Sequence, residues 1–504
     1  MDRKWWTLIA VCIGTFMLLL DITIVNVALP AIGQAFRAQL SDLQWVVDAY
    51  ALSLAALLLT TGSLADLYGR RLVYAIGTGI FTAGSLLCGT ATGPLFLILA
   101  RAAQGVGGAT MFATSLALIA QAFTGRERGT AFGAFGAVSG VAVALGPVLG
   151  GLLTTGLSWR WIFFVNVPVG VVAIGITLVM IDESREPRAR RPDWLGFATF
   201  TGALSLLTVG LIRGAADGWS SALILTCFVA AAALLALFLV VELKSKYPMF
   251  PMNLLRKPTF SGGLISAFCL SASIFSILTY VTLYLQEVLH LSARETGVRF
   301  LVLSGTIFVV ATIAGRLTSK VPTSLLIGPG FVAIGGGLLL MHGVAIGTSW
   351  THLIPGFILG GIGTGLVTVP LASTAIGVVP PQQAGVASGI NSTFRQVGIA
   401  TGIAALGSVL TSSSRDAIVA RLVSTPLAPA AHRIANVIVA SGGAPVAARG
   451  VNALAIRRIA QYGFDAGLND VFVVGACTAF VGAIAALTLI RQRDFVAPQQ
   501  APPR

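Results

Sequence analysis

Leu20-Asp21-Ile22-Thr23-Ile24-Val25-Asn26-Val27-Ala28-Leu29-Pro30 sets one aspartate inside an apolar run that extends from Trp5 to Ala28. About 20 apolar residues are enough for a helix to cross a bilayer, so the run reads as a membrane span. A carboxylate at that depth costs about 3 kcal/mol on insertion scales, and it is held most cheaply as the neutral acid. A group that loads and releases a proton inside a membrane is what a proton-coupled carrier needs. Asp21 therefore predicts proton-driven transport.

Composition agrees. Of 504 residues 56% are hydrophobic and 10% charged, against about 25% charged in soluble domains. The mean hydropathy is +0.90. Cys12, Cys88, Cys227, Cys269 and Cys477 all fall in apolar stretches without paired spacing and read as small core residues, not disulfides or metal ligands. Arg3 and Lys4 precede a run too long for a signal peptide and lacking a small-x-small cleavage site, so a retained first helix is expected.

Apolar segments recur near 5–28, 44–65, 72–92, 95–122, 129–155, 162–181, 195–213, 219–242, 259–286, 297–318, 322–343, 352–379, 386–411 and 470–490, which makes fourteen spans. Runs of this length satisfy their backbone in lipid only as helices. With the N-terminus inside, the cytoplasmic ends carry 19 Lys and Arg and the short outer loops five. That is the bias expected of cytoplasmic termini at both ends. The net charge of +14 is thus topological, and no nucleic acid is implied.

A shift of 256 residues brings Gly105, Gly107, Gly129, Gly133 and Gly146 onto Gly361, Gly363, Gly385, Gly389 and Gly402. A parallel repeat gives two six-helix bundles, spans 1–6 and 9–14, with spans 7 and 8 inserted. Such halves suit alternating access around a midplane site. The expected organisation is a bundle at 1–181, the inserted pair at 182–258, a second bundle at 259–490 that includes a long outer loop at 412–469, and a cytoplasmic tail at 491–504. Ala-rich stretches of that loop, Asp416–Leu422 and Val451–Gln461, suggest short amphipathic helices on the outer leaflet, broken by Pro426, Pro429 and Pro445.

Several strings carry chemistry. Gly62-Ser63-Leu64-Ala65-Asp66-Leu67-Tyr68-Gly69-Arg70-Arg71 joins spans 2 and 3. Its glycines tighten the turn, and Asp66 with Arg70 can form ion pairs that break as the halves move, with Arg71 closing the motif. A basic topogenic turn is the plainer reading. Ser319 stands where Asp66 would fall in the faded second-half counterpart. Arg101 lies inside span 4, stays charged and needs a partner, for which Asp21 is the candidate. A structural arginine is the alternative. On span 5, Gly140, Gly146, Pro147, Gly150 and Gly151 combine close helix contact with a proline bend.

Asp48, between Trp45 and Tyr50 near the outer end of span 2, reads either as a second proton- or cation-binding carboxylate or as an acid favoured by its helix N-terminus. Glu287 reads as a solvated rim residue, and Arg395 in span 13 as a site residue in need of a partner. With Asn26, Trp45, Tyr50, Glu287 and Arg395 are the candidates for the substrate cavity. No lysine follows glycine as in a Walker A loop, so no ATP site is encoded. The histidines His290, His342, His352 and His432 stand singly, without metal-ligand spacing, and no nucleophile elbow is present.

These strings resemble the fourteen-helix drug/proton antiporters of the major facilitator superfamily over essentially the full chain. LDITIVNVALP is similar to that branch's helix-1 signature, GSLADLYGRR to the loop 2–3 motif, and ALGPVLGG to the antiporter motif of helix 5. WRWIFFVNVPVG, residues 159–170, is similar to the family's entry to helix 6. The resemblance implies an all-α integral membrane fold and proton-coupled multidrug efflux of hydrophobic, cationic compounds by a monomer in the cytoplasmic membrane. It implies no cofactor beyond the proton gradient, with Asp21 as proton carrier, Arg101 as its modulator and Asp48 like the helix-2 acid of exporters of quaternary ammonium cations. Span 13 departs by carrying Arg395 and no carboxylate, which argues against a dicationic substrate. The competing readings are a dedicated exporter or flippase of one lipid, siderophore or self-made antibiotic on the same fold and, remotely, a membrane-embedded enzyme or sensor.

Overall fold

The computed structural model describes residues 2–123, 125–185, 193–245, 248, 250, 252–318, 320–379, 384–425, 428–440 and 453–495. Ser319, Pro426, Pro445, Arg188, Arg190, Arg191, Lys246 and most of the 491–504 tail lie outside these residues. Among the described residues, twelve helices are long and apolar enough to cross a membrane, and two pairs bent by more than 40° bring the number to fourteen. In order the spans are Arg3–Phe36, Leu40–Tyr68, Arg70–Gly89, Pro94–Ala122, Gly125–Gly156, Trp161–Met180, Trp194–Asp217, Ala222–Lys244, Pro258–Val288, Ala293–Leu317, Thr323–Met341, Ile354–Gly377, Ala384–Leu422 and Ala453–Leu489.

Local signals set the boundaries. Span 1 ends where Arg37 turns left-handed (φ 51°) and its N–H reaches Gly33 O. Span 10 starts with a capping box between Ser292 and Glu295, which satisfies two otherwise orphaned backbone donors. Span 5 bends by 43° between Val143 and Leu145, because Pro147 lacks the N–H that would bond the Val143 carbonyl. Span 9 is interrupted by π turns at Ser271–Phe275 and Tyr284–Val288, irregularities that apolar periodicity does not announce.

In the first bundle span 4 packs on spans 2 and 3, and span 5 on span 1. In the second, span 12 packs on spans 10 and 11, and span 14 on spans 11 and 13. The bundles meet through spans 5 and 10, spans 2 and 13, and spans 1 and 9, while span 7 lies against spans 2 and 13. The repeat has a packing cause. A Cβ on Gly105 would stand 2.6 Å from Tyr50 O, and one on Gly361 would stand 2.8 Å from Thr306 Cβ, and residues 50 and 306 are 256 apart.

The 412–469 region differs from a loop lying on lipid. Span 13 continues to Leu422 and span 14 begins at Ala453. The two extensions enclose a short helix, Ala431–Ala440, and Ile418, Leu422, Ala435, Ile438 and Ala460 bury one another in a core of their own. The apolar faces expected on the membrane are therefore spent on each other. Charged residues such as Arg415 and Asp416 end an apolar run, but Ala-rich sequence keeps its helix beyond the lipid.

Candidate functional site

Asp21 and Arg101 are brought together in the core of the first bundle. Arg101 Nη1 donates to Asp21 Oδ2 at 2.5 Å, and the two side chains are 1% and 0% exposed, respectively. Asp21 Oδ1 also accepts from Gln104 Nε2 (2.9 Å) and from Asn166 Nδ2 (3.3 Å). Ser85 Oγ accepts from the same two amides, at 2.8 and 3.4 Å. Arg101 further donates Nε to Val46 O (3.1 Å) and Nη1 to Gln104 Oε1 (2.7 Å), with its guanidinium 4.2 Å from the centre of the Tyr50 ring.

Spans 1, 2, 3, 4 and 6 thus converge on one ion pair. A buried pair is tolerated only when its remaining polar atoms are bonded in this way. Gln104, Ser85 and Asn166 were not singled out from sequence. Gln104 could have been, since it lies three residues after Arg101 and shares its helical face.

An apolar cavity of about 680 Å³, open space at its mouth included, lies between the bundles. Its wall includes Ile22, Thr23 and Asn26 of span 1, Val143 and Pro147 of span 5, Phe275 of span 9, Ser304 of span 10 and Ile403 of span 13. Its mostly apolar wall is of the kind that lines small-molecule sites. Arg395, one turn before Ile399 of the cavity wall, is partly exposed with its guanidinium 5.9 Å from the Phe275 ring centre.

Of the other cavity candidates, only Asn26 lines the space. Tyr50 is fully buried beneath Arg101, so its cation–π contact is with the protein's own guanidinium. Trp45 packs against a buried cluster that includes Leu204 of span 7 and Ala400 of span 13. Asp48 is wholly buried, and neither carboxylate oxygen has a hydrogen-bond partner. It does not stand in an open vestibule, because span 2 there is pressed against span 13. Glu287 is not a solvated rim residue: it is 8% exposed and accepts from Gln34 Nε2 at 3.1 Å.

Glu287 belongs to a seal between the bundles, at the end of the molecule away from Asp2 and Asp494. Gln286 Nε2 donates to Val27 O (2.8 Å), Thr279 Oγ1 to Asn26 Oδ1 (3.3 Å), Gln44 Nε2 to Tyr280 OH (3.0 Å) and the Arg294 N–H to Thr155 Oγ1 (3.0 Å). The span 5 motif makes the seal and the core at once. A Cβ on Gly146 would stand 1.8 Å from Thr23 Oγ1, and one on Gly150 2.8 Å from Ile24 O. On the other side, a Cβ on Gly151 would stand 2.4 Å from Ala293 O, and Gly297 crosses Pro147 as closely. Gly140 makes only an ordinary contact with Phe308.

At the opposite end the loop 2–3 motif stays within the first bundle. Arg70 pairs with Asp66 (2.8 Å) one turn away, and its N–H donates to Ser184 O. Glu183 accepts from the backbone N–H of Arg71 (3.0 Å) and Leu72 (3.1 Å) and packs on Gly69, whose φ of 118° suits glycine. Arg71 reaches Ile181 O at 3.2 Å. Gly62 has open space beside it. Glu183, which fastens the motif to span 6, was not visible in the motif itself.

The family model described as Major Facilitator Superfamily matches residues 11–403. The chain is 35% identical to the multidrug resistance protein Stp of Mycobacterium tuberculosis, over 96% of this chain and 90% of that protein. It is 36% identical to the puromycin resistance protein pur8 of Streptomyces alboniger (82% and 83% covered). With the tetracenomycin C resistance and export protein of Streptomyces glaucescens it shares 32% identity (99% and 94% covered). Among solved structures it superposes on a bacterial homologue of the human lysosomal transporter Spinster, inward-facing and occupied. There the TM-score is 0.60 at 16% identity, with 97% and 98% of the two chains covered.

Proposed function

The chain belongs to the Major Facilitator Superfamily, and on that premise we propose that it is a proton-coupled antiporter exporting hydrophobic compounds across the cytoplasmic membrane by alternating access. It is a multi-pass membrane transporter rather than an enzyme. The observation that carries the coupling is the buried Asp21–Arg101 pair, one residue along span 1 from the cavity wall at Ile22. While the pair is intact, the guanidinium neutralises the carboxylate. When span movement separates them, a proton takes over that task, so loading Asp21 and moving the bundles are one event.

The excess of Lys and Arg at one end supports cytoplasmic termini, with the seal facing outward and the cavity inward. One chain holds both pair and cavity, which supports a monomer, and the proton gradient is the only further requirement. The sequence-based expectation of cationic cargo is weakened by Arg395, a positive charge beside the cavity. Neutral, largely apolar cargo agrees best with the wall as it stands. The names of relatives such as the puromycin resistance and tetracenomycin C export proteins support the second reading, a dedicated exporter of one antibiotic.

Purified protein in liposomes, given a proton gradient and screened with cationic dyes, neutral antibiotics and lipids, tests both readings. Gradient-driven uptake of several neutral compounds is the expected result. Uptake of one compound alone selects the dedicated exporter, and uptake indifferent to the gradient sinks proton antiport.

A further inference from the structure

Arg395 brings a fixed charge to a cavity whose lining side chains are all uncharged. A guanidinium keeps its proton, so a partly exposed position inside the membrane calls for a counter-charge. Its helical face leads to the cavity. Ile399, one turn further along span 13, lines the wall, and the guanidinium lies 5.9 Å from the ring centre of Phe275, which lines it too. Spans 9 and 13 leave no retreat between them: a Cβ on Gly398 would stand 2.5 Å from Phe268 O, and one on Gly402 2.6 Å from Ala272 Cα.

Among the described residues nothing supplies that counter-charge. The Phe275 ring stands at the limit of a cation–π contact, about 6 Å. Asp21 is held by Arg101, Asp66 by Arg70, Glu127 by Lys4 and Glu287 by Gln34. Asp48 on span 2 is buried with both oxygens unbonded, so it does not reach Arg395 either. Other polar groups on the wall can donate as well. Ser304 Oγ is buried without a partner. Asn26 Oδ1 is taken by the Thr279 hydroxyl at 3.3 Å, which leaves the Asn26 amide to donate. A molecule that brings acceptor oxygens and one negative charge complements such a wall.

We propose that Arg395 is an anion subsite of the cavity, and that the preferred cargo is an apolar compound bearing one acidic oxygen group, a carboxylate or an ionised phenol. The inference rests on the export reading above and refines its neutral cargo, because the anion and the guanidinium sum to no net charge against the apolar wall. A guanidinium meets a carboxylate through two parallel N–H donors. A neutral amide of the same shape cannot match that.

The test measures binding at equilibrium, without a proton gradient, to the full chain in phosphatidylcholine nanodiscs at about pH 7.5, where a carboxylic acid is ionised. The probes are 1-pyrenebutyric acid and its amide, alike in shape and differing by one charge. Saturable energy transfer from tryptophan to pyrene reports occupancy. In the wild type the acid should bind about tenfold more tightly than the amide, as one charge-assisted pair allows. In Arg395→Gln and in Arg395→Met the two probes should bind alike. Arg395→Lys, which keeps the charge without the planar fork, should retain part of the preference. Two neutral variants keep the answer from hanging on one of them folding. A wild type that binds acid and amide equally, or shows no saturable binding of the acid, overturns the subsite. So does a preference that both neutral variants leave intact. Because no gradient is applied, failure of proton antiport would show only in the liposome assay.

Discussion

Gly297→Ala adds one methyl group at a close backbone-to-backbone crossing between the two bundles. In the sealed state that carbon would stand 2.2 Å from Pro147 O and 3.0 Å from Pro147 C, where ordinary contact begins at 3.4 Å. Both neighbours are backbone, so spans 5 and 10 must separate by about an ångström. Overpacking of this kind costs about 1–3 kcal/mol. Under the proposed alternating access the cost falls on the sealed state alone, because the crossing opens when the outer end does. A bias of that size multiplies the ratio of open to sealed molecules about 5–150-fold. The assay is labelling of Asn26→Cys, beneath the seal, by a membrane-impermeant maleimide added from outside to intact cells, with and without Gly297→Ala in the same chain. Labelling should quicken when the alanine is present. Gly156→Ala, which meets no atom within 4 Å, should leave it unchanged. Equal rates with glycine and with alanine at this position, in chains of equal abundance, would refute the claim that the crossing is part of an outer gate.

Asp21→Asn should insert and fold yet lose gradient-driven export in liposomes, and export by the Asn chain at the wild-type rate would remove Asp21 from coupling. Arg101→Ala should cost about 3–5 kcal/mol of stability by leaving a buried carboxylate uncompensated, read as a lower melting temperature, and a melting temperature equal to wild type would contradict the burial argument. Arg395→Ala should raise export of lipophilic cations severalfold relative to neutral compounds, and a constant ratio would remove Arg395 from cargo selection. Asp494 is held below the usual carboxylate range by hydrogen bonds from the Thr259 hydroxyl and N–H. Its contribution is therefore present above the ordinary aspartate range and lost as pH falls through the lowered value. The melting difference between wild type and Asp494→Asn should be visible at neutral pH and vanish in strong acid.

Chain order alone carried the membrane-spanning character, the fourteen spans and the duplicated halves, because lipid forces every crossing into an apolar helix of set length and a gapless repeat preserves its glycine contacts. It also carried Asp21 and Arg101, since a charge inside such a helix stands out against everything around it. What hydropathy measures, however, is passage through lipid and not the end of a helix, so the extensions of spans 13 and 14 past the apolar runs were hidden. Which groups meet was hidden as well. Gln104, Ser85 and Asn166 are ordinary polar residues until three spans bring them to one carboxylate, and Glu183 becomes a clasp only where span 6 ends beside Gly69. Trp45, Asp48 and Tyr50 share one short stretch of span 2 and suggested a cation site. Helical geometry turns them to different surroundings: Trp45 to a cluster shared with span 7, Asp48 to a buried position without a hydrogen-bond partner, and Tyr50 to Arg101. Only tertiary packing decides which side of a helix meets protein, lipid or cavity, and with residues about 100° apart around the axis, nearness in sequence is no guide to nearness in space.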